Sequence, residues 1–133
     1  MPAVLIDTDV AIDFLRGEAY AQPLIAGLWR ERRAVLSVLT VYELTAGMRK
    51  KERGHTLDFI GACTIEEVSA NIAIQAGDLY REYRSKGITL TSLDCLIAAT
   101  ALVKGYKIVT RNLAHFPQEG LLFNTKEDDQ ESS

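Results

Sequence analysis

Short, mostly apolar runs alternate along the chain with longer segments of helical periodicity, and this alternation predicts strands separated by helices. Residues 3–6, 34–38 and 106–110 predict three of the strands, and the first run is apolar throughout. Residues 63–68 alternate between apolar and polar positions and predict another strand, and residues 120–123 predict a short fifth one. Runs this short are typical of strands, since a helix needs more residues to bury one face.

Residues that favour helix ends stand beside several of the helical segments. Gly87 and Gly105 follow two of them. Ser69 is placed as an N-cap, and either Thr91 or Ser92 caps the next helix. We therefore expect an α/β fold, a three-layer α/β/α sandwich with a central, mostly parallel sheet of about five short strands. The predicted helices cover residues 10–16, 18–33, 39–51, 53–61, 70–86 and 93–104.

Length and composition fit one domain. The chain has 133 residues, of which 47% are hydrophobic, so it can bury a core. We expect this domain to cover residues 1–125. Residues 126–133 are polar and acidic without apolar anchors, and a disordered tail is expected there. One lysine and four acids give this tail a charge of −3, which is the net charge of the whole chain.

The net charge gives no sign of a nucleic-acid binder, although "RERR" (30–33) and "RKKER" (49–53) are locally basic. These two segments are either solvated helix ends or contacts for a nucleic-acid backbone. No apolar run reaches the roughly 18 residues of a membrane span. The first residues do not resemble a signal peptide, so a soluble, cytoplasmic protein is expected. Cys63 and Cys95 offer no disulfide framework and are expected to be small buried side chains.

Four polar residues stand out as candidates for chemistry. Asp7 follows the first predicted strand, and Asn112 lies in the turn after the fourth, so both turns belong to the carboxyl edge of the sheet. Glu43 and Asp94 lie in helices that are otherwise mostly apolar. A carboxylate in such surroundings is costly unless it is paired, hydrogen-bonded or bound to a metal.

Each of these acids also has a purely structural interpretation. Asp7 or Asp9 could cap the first helix, Asp94 lies where a helix dipole favours an anion, and Glu43 could pair with an arginine. Taken together, however, carboxylates without histidine or cysteine partners suit a hard cation such as Mg²⁺ or Mn²⁺. Such ions serve phosphodiester hydrolysis or phosphoryl transfer.

Other catalytic patterns are missing from the sequence. It contains no GxxxxGK[ST] phosphate loop, no GxGxxG dinucleotide motif and no GxSxG nucleophile elbow. His115 in "NLAHF" is expected to be a loop or cap histidine rather than a general base.

Four motifs, in order, resemble the PIN domain and specifically the VapC-type toxins of toxin–antitoxin pairs. They are "LIDTDVAIDFLRG", "SVLTVYELTAGM", "TSLDCLIAATALVKG" and "IVTRNLAHF", and the resemblance covers about residues 3–123. It implies a parallel sheet flanked by helices, a homodimer, and an endoribonuclease that depends on Mg²⁺ or Mn²⁺. It also implies a cognate antitoxin protein that blocks the site.

The resemblance assigns roles to individual residues. Asp7, Glu43 and Asp94 match the three acids that bind the metal and carry catalysis. Asn112 falls on a fourth catalytic position that is often Asp in the family, so this chain has a neutral group there. Thr8, Asp9 and Thr110 match positions that usually support the site.

Two alternatives remain open from the residues. "DTDVA" fits the start of haloacid-dehalogenase-like phosphatases, in which the first Asp, here Asp7, is the nucleophile and Mg²⁺ is the cofactor. Such enzymes need a later acidic pair after a strand, and "VTRNLAHF" fills that slot without one. The other alternative is a non-catalytic partner-binding PIN module, which the neutral Asn112 would favour.

Overall fold

The computed structural model describes residues 1–123, so the tail expected at 126–133 and the domain boundary at 125 lie outside the described residues. Four strands form one parallel sheet in the order β3-β2-β1-β4. Because all four run the same way, their carboxyl ends share one edge. The strands are β1 (Val4–Ile6), β2 (Ala34–Ser37), β3 (Thr64–Glu66) and β4 (Lys107–Val109).

Six α-helices cover the two faces of this sheet within the described chain. Successive residues of a strand point to opposite faces, so Val4 and Ile6 pack on one side, where Ile25 and Phe59 complete the core. Leu5 packs on the other side against the last helix. The three-layer α/β/α architecture is confirmed. The helices are α1 (Thr8–Leu15), α2 (Ala21–Arg30), α3 (Val38–Gly47), α4 (Arg53–Gly61), α5 (Ala70–Ser85) and α6 (Ser92–Lys104), with 3₁₀ turns at Lys50–Glu52 and Leu113–His115.

The expected fifth strand is wrong. Residues 120–123 contribute a single parallel bridge, between Leu122 and Ile108 of β4. Gly120 adopts a left-handed bend with φ of 75°, and the chain beyond it meets β4 at this one point. The sheet of the described residues therefore has four strands.

Several helix ends differ from expectation, two of them for evident local reasons. Helix α1 begins at Thr8 rather than residue 10, because the Asp7 side chain accepts a hydrogen bond from the Thr8 N–H at 3.0 Å. Helix α3 ends at Gly47 rather than residue 51, because Met48 is extended (ψ 149°). Helix α2 covers Ala21–Arg30 rather than residues 18–33. Within residues 1–123, no helix combines the length and the hydropathy that a bilayer span requires.

Candidate active site

Asp7 lies at the carboxyl end of β1 and is fixed there by the sheet and by its own side chain. Its N–H donates to the Val109 carbonyl at 3.0 Å, which continues the β1–β4 ladder by one residue. One carboxylate oxygen accepts from the Thr8 N–H, and the other accepts from the Thr110 hydroxyl at 2.8 Å. The strand and the following helix thus hold the carboxylate in one direction.

Glu43 is held beside this turn by a hydroxyl group. Its Oε1 accepts a hydrogen bond from the Thr8 hydroxyl at 2.6 Å, and the Thr8 oxygen lies 3.3 Å from the fully buried Thr40 hydroxyl. No salt bridge links Glu43 to an arginine among the described residues. The structural interpretation by arginine pairing therefore does not explain this acid.

Asp94 approaches from the other side of the sheet, in the first turn of α6. The N-cap of that helix is Thr91, whose hydroxyl accepts from the Asp94 N–H at 3.1 Å. The Asp94 carboxylate is thus not the N-cap, and one of its oxygens lies 3.2 Å from Nδ1 of His115. His115, expected as a loop or cap residue, is in fact in contact with a site acid.

The acids influence one another electrostatically. Burial raises the pKa of the Asp7 carboxyl above its ordinary value, and the negative charges of Asp9 and Asp94 raise it further. Hydrogen bonds from Thr110 and the Thr8 N–H act in the opposite direction. A local excess of negative charge is the condition in which a bound cation is most favourable.

Asp9 and Asn112 take supporting positions. Asp9 accepts from the Val10 N–H at 2.7 Å and from the Arg111 N–H at 2.9 Å, so it joins α1 to the turn after β4. Asn112 follows in that turn, and its N–H donates to the Thr110 hydroxyl at 3.0 Å. Its side chain is exposed and makes no hydrogen bond to the described residues. The turn thus places Asn112 at the same edge as Asp7 without joining it to the acids.

The structure brings the three acids to one edge but does not form a closed coordination shell. Among residues 1–123, no three carboxylate, imidazole or thiol groups are arranged to hold a metal ion as they stand. Asp7 and Glu43 flank Thr8, and Asp94 lies within electrostatic range of Asp7. The donors are all oxygens, which Mg²⁺ accepts while it keeps several waters and takes one or two carboxylates. The donor set therefore fits such an ion.

Sequence reasoning missed a second network next to the site. Asp13 is buried in α1, and its carboxylate binds the Arg111 guanidinium, with Nε and Oδ2 2.6 Å apart. Tyr20 donates its hydroxyl hydrogen to the same carboxylate. Asp9 and Asp13 are four residues apart and so share a helix face, and this spacing is the one signal that could have revealed the network.

The comparisons with known proteins identify the class of protein. Residues 4–117 match the PIN domain, and the chain belongs to this family. It is 40% identical over 114 residues to "Ribonuclease VapC19" of Mycobacterium tuberculosis, covering 85% of this chain and 91% of that protein. It is 34% identical over 114 residues to "Ribonuclease VapC10" of the same organism, covering 86% of each.

A solved structure agrees on the fold. The chain is similar to that of DNA-bound VapBC from Salmonella typhimurium, with a TM-score of 0.79 and 23% identity over 92% of this chain and 96% of that one. The resemblance drawn from the four motifs is confirmed. Membership of the PIN family leaves the phosphatase alternative without support.

Proposed function

We propose that the chain is the toxin of a toxin–antitoxin pair, an endoribonuclease that hydrolyses RNA phosphodiester bonds with Mg²⁺ or Mn²⁺. The observation that carries this proposal is that Thr8 links Asp7 to Glu43 at the carboxyl edge of a PIN-domain sheet, with Asp94 within electrostatic range of Asp7. Two relatives with at least 34% identity are named as ribonucleases, which supports the same activity for this chain.

Asp7, Glu43 and Asp94 would hold the cation. When bound, Mg²⁺ or Mn²⁺ stabilises negative charge on a phosphate group and favours ionisation of water. The protein contributes rigid placement of the donors: Thr8 holds Glu43, and Thr110 holds Asp7. Asn112 supplies a neutral amide that can orient a water molecule or a phosphate oxygen at the same edge.

Similar solved structures also support a protein partner for this chain. Solved structures similar to this chain include VapBC and another toxin–antitoxin complex, the latter from Klebsiella pneumoniae. We therefore include in the proposal a cognate antitoxin that blocks the site. We also include the homodimer that the family resemblance implies and the cytoplasmic location expected from the sequence.

The test is to map new RNA ends in cells after expression of wild type and of Asp7→Asn. Wild type should create discrete new ends, and the variant should create none. With purified protein, cleavage should stop in EDTA and return with added Mg²⁺ or Mn²⁺. Robust cleavage in excess chelator would contradict the metal mechanism, and absence of cleavage with every metal would favour the non-catalytic module.

A further inference from the structure

The two basic segments of the chain lie at opposite edges of the sheet. Arg33 directly precedes β2, and its carbonyl accepts a hydrogen bond from the Val4 N–H at 2.7 Å. Its nearly buried guanidinium donates to the Pro2 carbonyl at 2.8 Å and pairs with Glu31 at 3.3 Å. Residues 30–33 therefore lie at the amino edge, away from the site acids.

Residues 49–53 lie next to the site instead. A groove of about 580 Å³ is lined by residues of α1, of α3 and of the chain from Arg49 to Thr56. Glu43 forms part of the lining, so one of the site acids borders the groove. Apolar side chains of α1 and α3 line it together with Arg16, Glu43, Arg49, Lys51, Glu52 and His55.

The cations of this groove are not equivalent. Arg49 is held by Glu52, whose Oε1 lies 3.1 Å from the Arg49 Nε and 2.7 Å from its backbone nitrogen, so these two charges offset each other. Arg16 and Lys51 are exposed and form no salt bridge with the residues that the structure describes. Lys51 lies within electrostatic range of Glu52 but forms no salt bridge with it. The groove thus carries two cations without a salt-bridge partner, and Glu43 belongs to the same lining.

We propose that Arg16 and Lys51 bind the sugar-phosphate backbone of the RNA, at nucleotides next to those held at the acids of the site. This inference rests on the proposed ribonuclease function. RNA brings phosphates up to Asp7, Glu43 and Asp94, and repulsion between like charges opposes its approach. Cations without a salt-bridge partner, in a groove that Glu43 also lines, offset that repulsion. An acidic protein segment would have the same charge complementarity. The RNA substrate, however, must lie close to Glu43 to be cut, and an acidic protein segment has no such requirement, so the position of the groove favours RNA.

The experiment compares Lys51→Gln and Arg16→Gln with Lys50→Gln. Lys50 lies on the same 3₁₀ turn and is exposed, but it does not line the groove. Affinity for a short fluorescein-labelled oligouridine is measured by anisotropy over a range of NaCl concentrations, in EDTA so that the RNA is not cut. Cleavage by wild type in Mg²⁺ or Mn²⁺ is measured in parallel.

Each groove variant should weaken RNA affinity several-fold. It should also reduce the slope of log affinity against log salt by about 0.7, the contribution of one phosphate contact in a single strand. Lys50→Gln should leave both quantities close to wild type. All three side chains are exposed, so the variants should melt like wild type, and circular dichroism checks this.

The possible outcomes distinguish a failure of the groove inference from a failure of the proposed function. If wild type cuts RNA but the groove variants bind the oligouridine as Lys50→Gln does, the groove inference is wrong and the proposed function stands. If wild type neither cuts nor binds RNA with any metal, the proposed function fails and the inference fails with it. Unchanged RNA binding together with weaker antitoxin binding would assign both cations to a protein partner and overturn the inference.

Discussion

The carboxylate of Asp7 has two roles that a single substitution can separate. It caps α1 through the Thr8 N–H, and it is the first candidate ligand for the cation. Asparagine caps a helix about as well as aspartate. Asp7→Asn therefore keeps the cap and removes the charge.

In EDTA and at neutral pH, Asp7→Asn should be at least as stable as wild type. Burial raises the pKa of Asp7 above its ordinary value of 3.8, so the folded state binds this proton more tightly than the unfolded state. The ionised carboxylate therefore lowers the free energy of unfolding of wild type at pH values above the raised pKa. As the pH falls through that pKa, Asp7 becomes protonated, and the stability difference between variant and wild type should shrink. Urea unfolding over a pH series measures the effect. A variant clearly less stable at neutral pH would show that the charged cap outweighs its burial.

Asn112 should matter less for activity than the three acids. Asn112→Ala removes a neutral group and should lower activity roughly tenfold. Asp94→Ala removes a charged ligand and should lower activity roughly a thousandfold. Asn112→Asp adds a negative charge and should lower the metal concentration that half-maximal cleavage requires. A Mn²⁺ titration of RNA cleavage compares the variants, and a folded Asn112→Ala protein as inactive as Asp94→Ala would contradict this ranking.

At the scale of the elements, several side-chain contacts join α1 to the turn after β4. The Arg111 N–H binds Asp9, and the Arg111 side chain binds Asp13, which also holds Tyr20. Arg111 itself is exposed, and its pKa is raised by the charge of Asp13. This pair holds the turn that carries Thr110 and Asn112 against α1, and we therefore expect Arg111 and Asp13 to act as positioning residues.

Breaking this pair should therefore weaken metal binding without unfolding the protein. Arg111→Gln and Asp13→Asn should each raise the Kd for Mn²⁺ by roughly tenfold. This is the smaller of the losses in metal affinity seen when a group that orients a metal ligand is removed. The double variant should be little worse than either single variant, because both remove the same contact. Calorimetric Mn²⁺ titration gives the Kd values, with Arg30→Gln at the amino edge as the matched control. Additive effects in the double variant would argue against a shared role.

The order and type of the elements could be predicted because each run carries its own local signal. Apolar runs and cap residues such as Ser69 and Thr91 are read within a few positions, and both side chains do cap their helices. The fifth strand was wrong because "GLLF" has strand composition, while its pairing depends on a bend at Gly120. The end of α3 at Gly47 likewise depends on the extended Met48, which helical periodicity does not reveal.

The sequence could predict which acids belong to the candidate site, but not the hydrogen bonds that hold them in place. Asp7 stands out because it directly follows a buried strand, and Glu43 and Asp94 stand out because a carboxylate in apolar surroundings needs an explanation. The link from Thr8 to Glu43 spans 35 residues, and the link from Thr110 to Asp7 spans 103 residues. No local pattern encodes such contacts, since the fold alone brings the partners together. The pairing of His115 with Asp94 escaped prediction for the same reason.

At the scale of the whole molecule, the site joins layers that pack separately. Asp7 and Glu43 adjoin the core formed by α1 to α4, whereas Asp94 belongs to α6 on the opposite face. A cation held by all three acids would therefore link both helical layers across the edge of the sheet. Such a ligand binds the folded state and not the unfolded chain, so it must stabilise the whole domain.

Addition of Mn²⁺ should accordingly raise the melting temperature of wild type. At about 100 times its Kd, the ion should add about 2.7 kcal/mol of stability, which for a domain of this size is a rise of roughly 10 °C. Asp94→Asn removes the ligand from one layer, so its melting temperature in EDTA should stay close to wild type while the Mn²⁺-dependent rise is largely lost. Lys50→Gln, which touches neither layer of the site, should respond to Mn²⁺ as wild type does. Differential scanning calorimetry with and without the ion measures both effects, and an equal rise in Asp94→Asn would place the stabilising ion elsewhere on the protein.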